Sequence, residues 1–290
     1  MKVFGSQSMV QPIQRVLMRR PGQSLLAADP QKWHYGTMFD AKKAIEQYDA
    51  FAGLVEASGA EIEWWEDQGD GLCDGMFTQD ASLVTDHGAV LLNMGKPLRK
   101  AEPDAHGIAY EKAGVPVIGQ LTGTAMIEGG DFIWLNNNTI VVGCGFRSNR
   151  EGIAQLNTIL NPFDINVIGF DLPVWHGAEA CLHLMSMISP LDDDLALIYS
   201  PLMPTAFYNL LLEEGITLLD APADEFLSSG GLNPNVLPTK PRDCIMIDGF
   251  PKTKALMEAA GCRVQVFQGD ALCIACEGGP TCLTNPILRG

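Results

Sequence analysis

Residues 131–144 read DFIWLNNNTIVVGC, two apolar runs separated by the turn Asn136-Asn137-Asn138. Four apolar residues on each side of a turn-forming cluster predict two adjacent strands. Reading outward, a helix is expected from Ser148 to Leu160, followed by a further strand at INVIGF, 165–170. The same order lies on the N-terminal side: ASLVT and AVLLN within 81–93, a helix near 101–113, and VPVIG at 115–119. It recurs on the C-terminal side. There LMSMI from near His183, LALIYS at 195–200, a helix near 205–213 and ITLLD are followed by NVLP, CIMID, a helix near 251–260 and RVQVF at 263–267.

The units start near 81, 131, 183 and 235, about fifty residues apart, and a fixed period of this length indicates a repeat architecture. The two ends of the chain supply a fifth unit. Its parts are the strand IQRVLMR (13–19), a helix from Thr37 to Ser58, the strand EIEWW (61–65) and a C-terminal strand around Cys282 to Leu288. In the helix, Ile45, Tyr48, Phe51, Ala52 and Val55 fall at helical spacing and Gly59 is placed to end it. Joining both termini in one sheet closes a ring and removes the open edges that separate units would leave. The 290 residues are therefore read as one domain, 1–290, of five units averaging 290/5 = 58 residues, rather than as two domains. The competing α/β reading, a doubly wound dinucleotide-binding sheet, requires single strands alternating with helices and a GxGxxG loop. Gly143 and Gly145 follow a strand, but Arg147 to Arg150 stand where the third glycine belongs.

Composition bounds the function. Apolar residues at 47% and charged residues at 19% suit a buried core and argue against a largely disordered chain. Nineteen Lys and Arg against thirty-five Asp and Glu leave 19 − 35 = −16, the wrong sign for a nucleic-acid partner. No stretch approaches the roughly 18 apolar residues of a spanning helix, and MKVFGSQSMVQPIQ lacks the apolar core of a signal peptide, so a soluble cytoplasmic protein without a membrane partner is expected. The eight cysteines are then read as thiols. Cys273 and Cys276 form one CxxC with no second ligand pair to complete a zinc site, and neither metal nor cofactor is expected.

Equivalent positions in a ring of repeats face the same end of its axis. Asp74, Glu128 and His183 are 54 and 55 residues apart, each at or just before the opening of a unit, and Cys282 opens the closing strand. A nucleophile, a base and carboxylates would then converge on one pocket. At this point the ordered set Glu128-Gly129-Gly130-Asp131, Gly145-Phe146-Arg147-Ser148-Asn149, His183-Leu184-Met185-Ser186 and Gly278-Gly279-Pro280-Thr281-Cys282-Leu283-Thr284 resembles the guanidine-modifying enzymes of the pentein fold. Among them the chain looks most like the dimethylarginine dimethylaminohydrolases. The resemblance spans nearly the whole chain from RVLMRRPG, 15–22.

The resemblance implies a five-bladed α/β propeller of ββαβ units with pseudo-fivefold symmetry, hydrolysing a guanidinium to a ureido group through a covalent intermediate. Cys282 matches the family nucleophile, His183 the general acid/base, and Glu128 the carboxylate paired with the histidine and substrate. Asp80 matches the acid that grips the guanidinium, and Asp74 one at the substrate-binding end of the same segment. Phe77, in that segment, is grouped with the substrate-binding residues. Arg147 and Arg99 match arginines near the substrate's amino-acid carboxylate. Asp131 is read instead as a turn acceptor around Gly129-Gly130.

The chemistry agrees: a planar, weakly electrophilic guanidinium must be oriented by carboxylates, and a thiolate is the side chain best able to attack it. Two residues past the histidine, arginine deiminases and amidinotransferases carry an aspartate and dimethylarginine hydrolases often a lysine, whereas this chain has Met185. Methionine accepts no pair of N–H bonds, which favours an N-substituted guanidine over free arginine. The expected product is citrulline plus an amine. The alternatives are an arginine deiminase or dihydrolase, an amidinotransferase that passes the amidino group to an amine, and a non-enzymatic binding module such as the ribosome anti-association factor built on the same ring. The oligomeric state is left open, with a homodimer among the options.

Overall fold

The computed structural model describes residues 2–178, 180 and 182–290. It contains five sheets of three strands each, all built to one plan: a central strand paired antiparallel on one side and parallel on the other. In four of the five sheets adjacent strands in sequence supply the antiparallel pair, and in the fifth the two ends of the chain do. The parallel partner needs a crossover, and a helix provides it. In the unit read first, Phe132–Asn136 and Thr139–Cys144 form the hairpin and helix Arg150–Leu160 leads to Asn166–Asp171. The helix begins at Arg150 rather than Ser148 because the Asn149 side chain accepts from Gly152 N at 2.8 Å and caps it.

Burial repeats with the topology. The central strands Gly88–Leu91, Leu195–Ile198 and Asp243–Ile247 are buried along their whole length, as continuous apolar runs. The third strands Glu61–Trp64, Val117–Gln120 and Thr217–Asp220 share one pattern of exposed ends around a half-buried middle. These three units thus meet solvent along the same strand.

The terminal unit forms as expected. Ile13–Met18 pairs antiparallel with Asn285–Arg289, Leu17 opposite Asn285, and parallel with Glu61–Trp64. Its helix is Ala41–Ala57; Asp40 accepts from Lys42 N and Lys43 N at 3.0 Å each, which sets the start four residues later than Thr37. Tyr48, Phe51 and Val55 are fully buried on one face, each contributing about 1.5–3 kcal/mol of apolar burial. Two further boundaries differ from expectation. Leu184–Ser186 is a tight turn and the strand of that unit starts at Ile188, because Ser186 Oγ accepts from His183 N at 3.1 Å and Met187 N donates to Leu184 O. Cys282 does not open the closing strand: Gly279–Thr284 coils into a turn, with Leu283 N donating to Gly279 O, and the strand begins at Asn285.

Seven of the eight cysteines are described and are free thiols; Cys181 lies outside the described residues. Among the described residues no helix is long and apolar enough to cross a membrane.

Candidate active site

The segment between the terminal unit and the first complete one is anchored from beneath by Arg19. Its side chain is 1% exposed, lies 4.1 Å above the Trp65 ring and pairs with Asp67 at 3.1 Å and Asp70 at 2.7 Å. The turn Cys73–Met76 follows and carries Asp74 into a cleft of about 340 Å³. Asp74, Phe77, Asp80, Arg99, Arg147, His183 and Cys282 all line this cleft, so the structure brings together residues spread over 209 positions (282 − 74 = 208, plus one). Glu128 stands directly behind it.

Glu128 is fully buried and ends an extended segment before the turn Gly129–Asp131. Its Oε1 accepts from Gly95 N at 2.7 Å, Lys96 N at 3.1 Å and Arg147 Nε at 3.0 Å; its Oε2 meets Arg147 Nη2 at 2.7 Å and His183 Nε2 at 3.1 Å. Burial alone would raise this carboxyl. The His183 hydrogen bond and the Arg147 charge outweigh it and hold Glu128 well below the usual carboxylate range. An ionised acid therefore faces the imidazole.

The imidazole ring lies flat against a backbone that has no side chain. A Cβ on Gly130 would fall 2.3 Å from His183 Nδ1, so only glycine allows the approach. Asp131 works between units rather than within its own turn, which corrects the local-acceptor reading. Its Oδ2 accepts from Ser148 Oγ at 2.6 Å and its Oδ1 from Leu184 N at 3.0 Å, joining the Glu128 turn to the His183 turn. Burial pushes its carboxyl up to about 6 despite the neighbouring His183 and the Ser148 hydrogen bond.

Asp80 is equally fixed: Oδ1 accepts from Gly130 N at 2.9 Å and Oδ2 from Arg99 Nη1 at 2.6 Å. Arg99, which the resemblance sets near the substrate's carboxylate, lines the cleft and is tied to acceptors of the protein. Only 3% exposed, it donates Nε to Glu102 at 2.9 and 3.0 Å and Nη2 to Glu102 Oε2 at 2.7 Å and to Phe77 O at 3.1 Å. Burial opposes its charge, but Glu102 and Asp80 outweigh that and keep it cationic. Held by these acceptors at the cleft wall, the guanidinium positions Asp80. The physical cause is Glu102, three residues on and on the same side of the turn, which supplies a bidentate partner before any ligand arrives.

Cys282 is half-buried at the seam of the cleft. Asn235 Nδ2 donates to its Sγ at 3.5 Å, while Asn235 Oδ1 accepts from Thr281 N at 3.0 Å and Thr281 Oγ1 at 2.8 Å, so one amide orients the turn that carries Cys282. Asn235 was not expected among the site residues, although it opens the fourth unit 52 residues after His183 (235 − 183) and the repeat period points to it. Tyr35 and Lys96 were also missed. Asp74 Oδ1 accepts from Tyr35 Oη at 2.8 Å and Oδ2 pairs with Lys96 Nζ at 2.6 Å, a contact between loops that no spacing encodes.

Five three-stranded sheets and a cleft combining a thiol, a carboxylate-bound histidine and buried acids define the class of guanidine-modifying hydrolases. The arginine deiminase family model matches residues 70–217. The chain is 30% identical over 211 residues to the N(G),N(G)-dimethylarginine dimethylaminohydrolase of Streptomyces coelicolor, covering 69% of this chain and 74% of that one. It is 26% identical over 248 residues to an arginine deiminase of Mycobacterium marinum, covering 74% of this chain and 60% of that protein. Among solved structures, the dimethylarginine hydrolase of Pseudomonas aeruginosa, a mutant complexed with citrulline, superimposes with a TM-score of 0.76 at 20% identity over 96% of this chain and 100% of that one. An amidinotransferase of Microseira wollei from a saxitoxin pathway gives 0.80 at 15% identity over 99% and 97%. The chain belongs to the arginine deiminase family within the pentein superfamily, and it is similar to dimethylarginine dimethylaminohydrolases in sequence and in fold. It is an amidine hydrolase, acting on C–N bonds of a guanidino group.

Proposed function

We propose that this enzyme hydrolyses N-substituted arginine, N-methylated arginine among its substrates, to citrulline and an amine, within a single five-bladed ring closed by the terminal strands. Asp80 and Asp74 receive the guanidinium, and Arg147 meets the substrate's carboxylate. Cys282 Sγ attacks the guanidinium carbon, and the C–N bond to the substituted nitrogen breaks as His183 delivers a proton to that nitrogen. The thiouronium left on Cys282 then takes up water. His183 accepts the water's proton, and the carbon–sulfur bond breaks to leave the ureido product and the thiolate. Glu128, ionised, stabilises the histidine each time it carries the proton.

The observation that carries this reading is the ionised Glu128 bonded to His183 beside a cleft that also holds Cys282 and Asp80. Met185, 3% exposed, supplies no acceptor on the histidine's far side, which favours a substituted guanidine over free arginine. The test is a mass spectrum of enzyme quenched after mixing with N-methylated arginine or arginine, with and without glycine or lysine. An adduct on the Cys282 peptide that disappears in Cys282→Ser, with citrulline released, is expected. An amidino product formed only with an added amine would make the protein a transferase instead.

A further inference from the structure

Two cavities meet at Cys282. The charged one already described holds Asp74, Asp80, Lys96, Arg99 and Arg147; the second, about 390 Å³, shares with it only His183, Glu277 and Cys282. Its walls are Trp175, Met185, Leu227, Leu232 and Ile274, and apart from Glu277 at the seam and the imidazoles of His176 and His183 no titratable group lines it among the described residues.

Several of the polar side chains bordering this second lobe are bonded within the protein. Ser186 Oγ accepts from His183 N at 3.1 Å, Ser228 Oγ donates to Glu225 O at 3.2 Å, and Ser229 Oγ donates to Phe226 O at 3.0 Å. The Asn235 amide is held by Thr281 and Cys282. One wall is braced: Trp175 packs on Phe226 at 5.5 Å between ring centroids, and Phe226 stacks on Tyr199 at 3.5 Å. Among the described residues, apolar groups supply the larger share of the surface this lobe offers a ligand.

The guanidinium carbon bears three nitrogens. If the reading above holds, one carries the amino acid and lies in the charged lobe, and the carbon sits against Cys282 at the seam. The departing nitrogen then projects into the second lobe. A dimethylamino group takes roughly 90 Å³, at about 30 Å³ for each water-sized unit, and would leave most of the lobe unfilled. We infer that the leaving amine carries an apolar substituent of more than two carbons, alkyl or arylalkyl, which this lobe binds. This inference rests on the hydrolase reading and narrows its substrate class. The balance is that of hydrolysis. The substituted guanidinium and one water give the ureido acid and the substituted ammonium ion; the C–N bond to the substituent's nitrogen breaks as the C–S bond forms, and water replaces sulfur.

The experiment measures kcat/KM of the full chain, by citrulline release, on Nω-methyl-, Nω-propyl-, Nω-butyl- and Nω-benzylarginine. Each methylene moved from water into the lobe is worth about fourfold, so butyl is expected to exceed methyl by roughly 60-fold. Leu232→Trp fills the lobe and is expected to collapse that ratio towards one. Leu227→Trp provides the same test at a position 65% exposed, where the new side chain does not disturb the core. The ratio within one variant is independent of how much of it folds. A wild-type ratio that is flat or falls with chain length while methylarginine is turned over overturns the inference and leaves the hydrolase reading standing. Absence of citrulline from every guanidine overturns both.

Discussion

Replacing Gly130 by alanine displaces His183 without touching its chemistry. The added Cβ would stand 2.3 Å from His183 Nδ1 and 2.8 Å from its Cγ. Non-bonded heavy atoms settle at roughly 3.5 Å or more, so the ring must retreat by about 1.2 Å. The His183 Nε2 to Glu128 Oε2 contact, now 3.1 Å, is then lost. A misplacement of about 1 Å in a reacting group costs on the order of 10²-fold in rate. Overpacking of this kind costs about 1–3 kcal/mol in stability.

Citrulline release by Gly130→Ala should accordingly fall about 100-fold while denaturant unfolding still shows a cooperative fold. The paired control is Gly53→Ala in the helix Ala41–Ala57. Nothing lies within 4 Å of a Cβ there, and alanine should stabilise by about 0.5–1 kcal/mol with unchanged activity. Activity of folded Gly130→Ala within twofold of wild type would show that the histidine's placement against this backbone does not matter, and the proton-carrier assignment would fall.

The buried ion pairs make two further predictions. Glu128→Gln should lower stability at pH 7 by about 3–5 kcal/mol, because Arg147 keeps its charge and loses the Glu128 carboxylate. Folding lowers the Glu128 pKa below its ordinary 4.5, so the wild-type advantage is complete above that value and shrinks as pH falls towards the folded pKa; unfolding curves from pH 7 to pH 3 would show the two proteins converging, and parallel curves would refute it. Arg99→Met should cost a similar ~3–5 kcal/mol by leaving Glu102 and Asp80 buried without their cation. An Arg99→Met variant as stable as wild type in denaturant would place Arg99 back with the ligand-facing groups.

Local pattern made the repeat legible. Hairpins such as 132–144, with their period-spaced helices, depend on contacts between near neighbours, and turn residues mark their ends. Boundaries shifted where one side chain decided them: Asp40 and Asn149 as caps, Ser186 as the acceptor that makes a turn of Leu184–Ser186. Within the site, the motif order brought out Cys282, His183, Glu128, Asp80, Asp74 and Arg147, which the structure gathers at one cleft. It misjudged Asp131, did not show the protein acceptors that hold Arg99, and passed over Asn235, Tyr35 and Lys96. In each of these cases the deciding partner lies on another loop or unit, or, for Arg99, in a neighbour whose direction the spacing leaves undefined.

What the sequence determined by itself is therefore the unit: two strands, a helix and a strand, repeated at a period that places polar residues at equivalent points. That follows from periodicity and turn chemistry, which act over a few residues. Tertiary structure decided how those points are used. Glu128 bonds His183 across 55 positions, Asn235 reaches Cys282 across 47, and Ile13–Met18 finds its partner at the other end of the chain. Such pairings follow from how the units pack on one another, where burial leaves each polar group only the partners that the surrounding units supply.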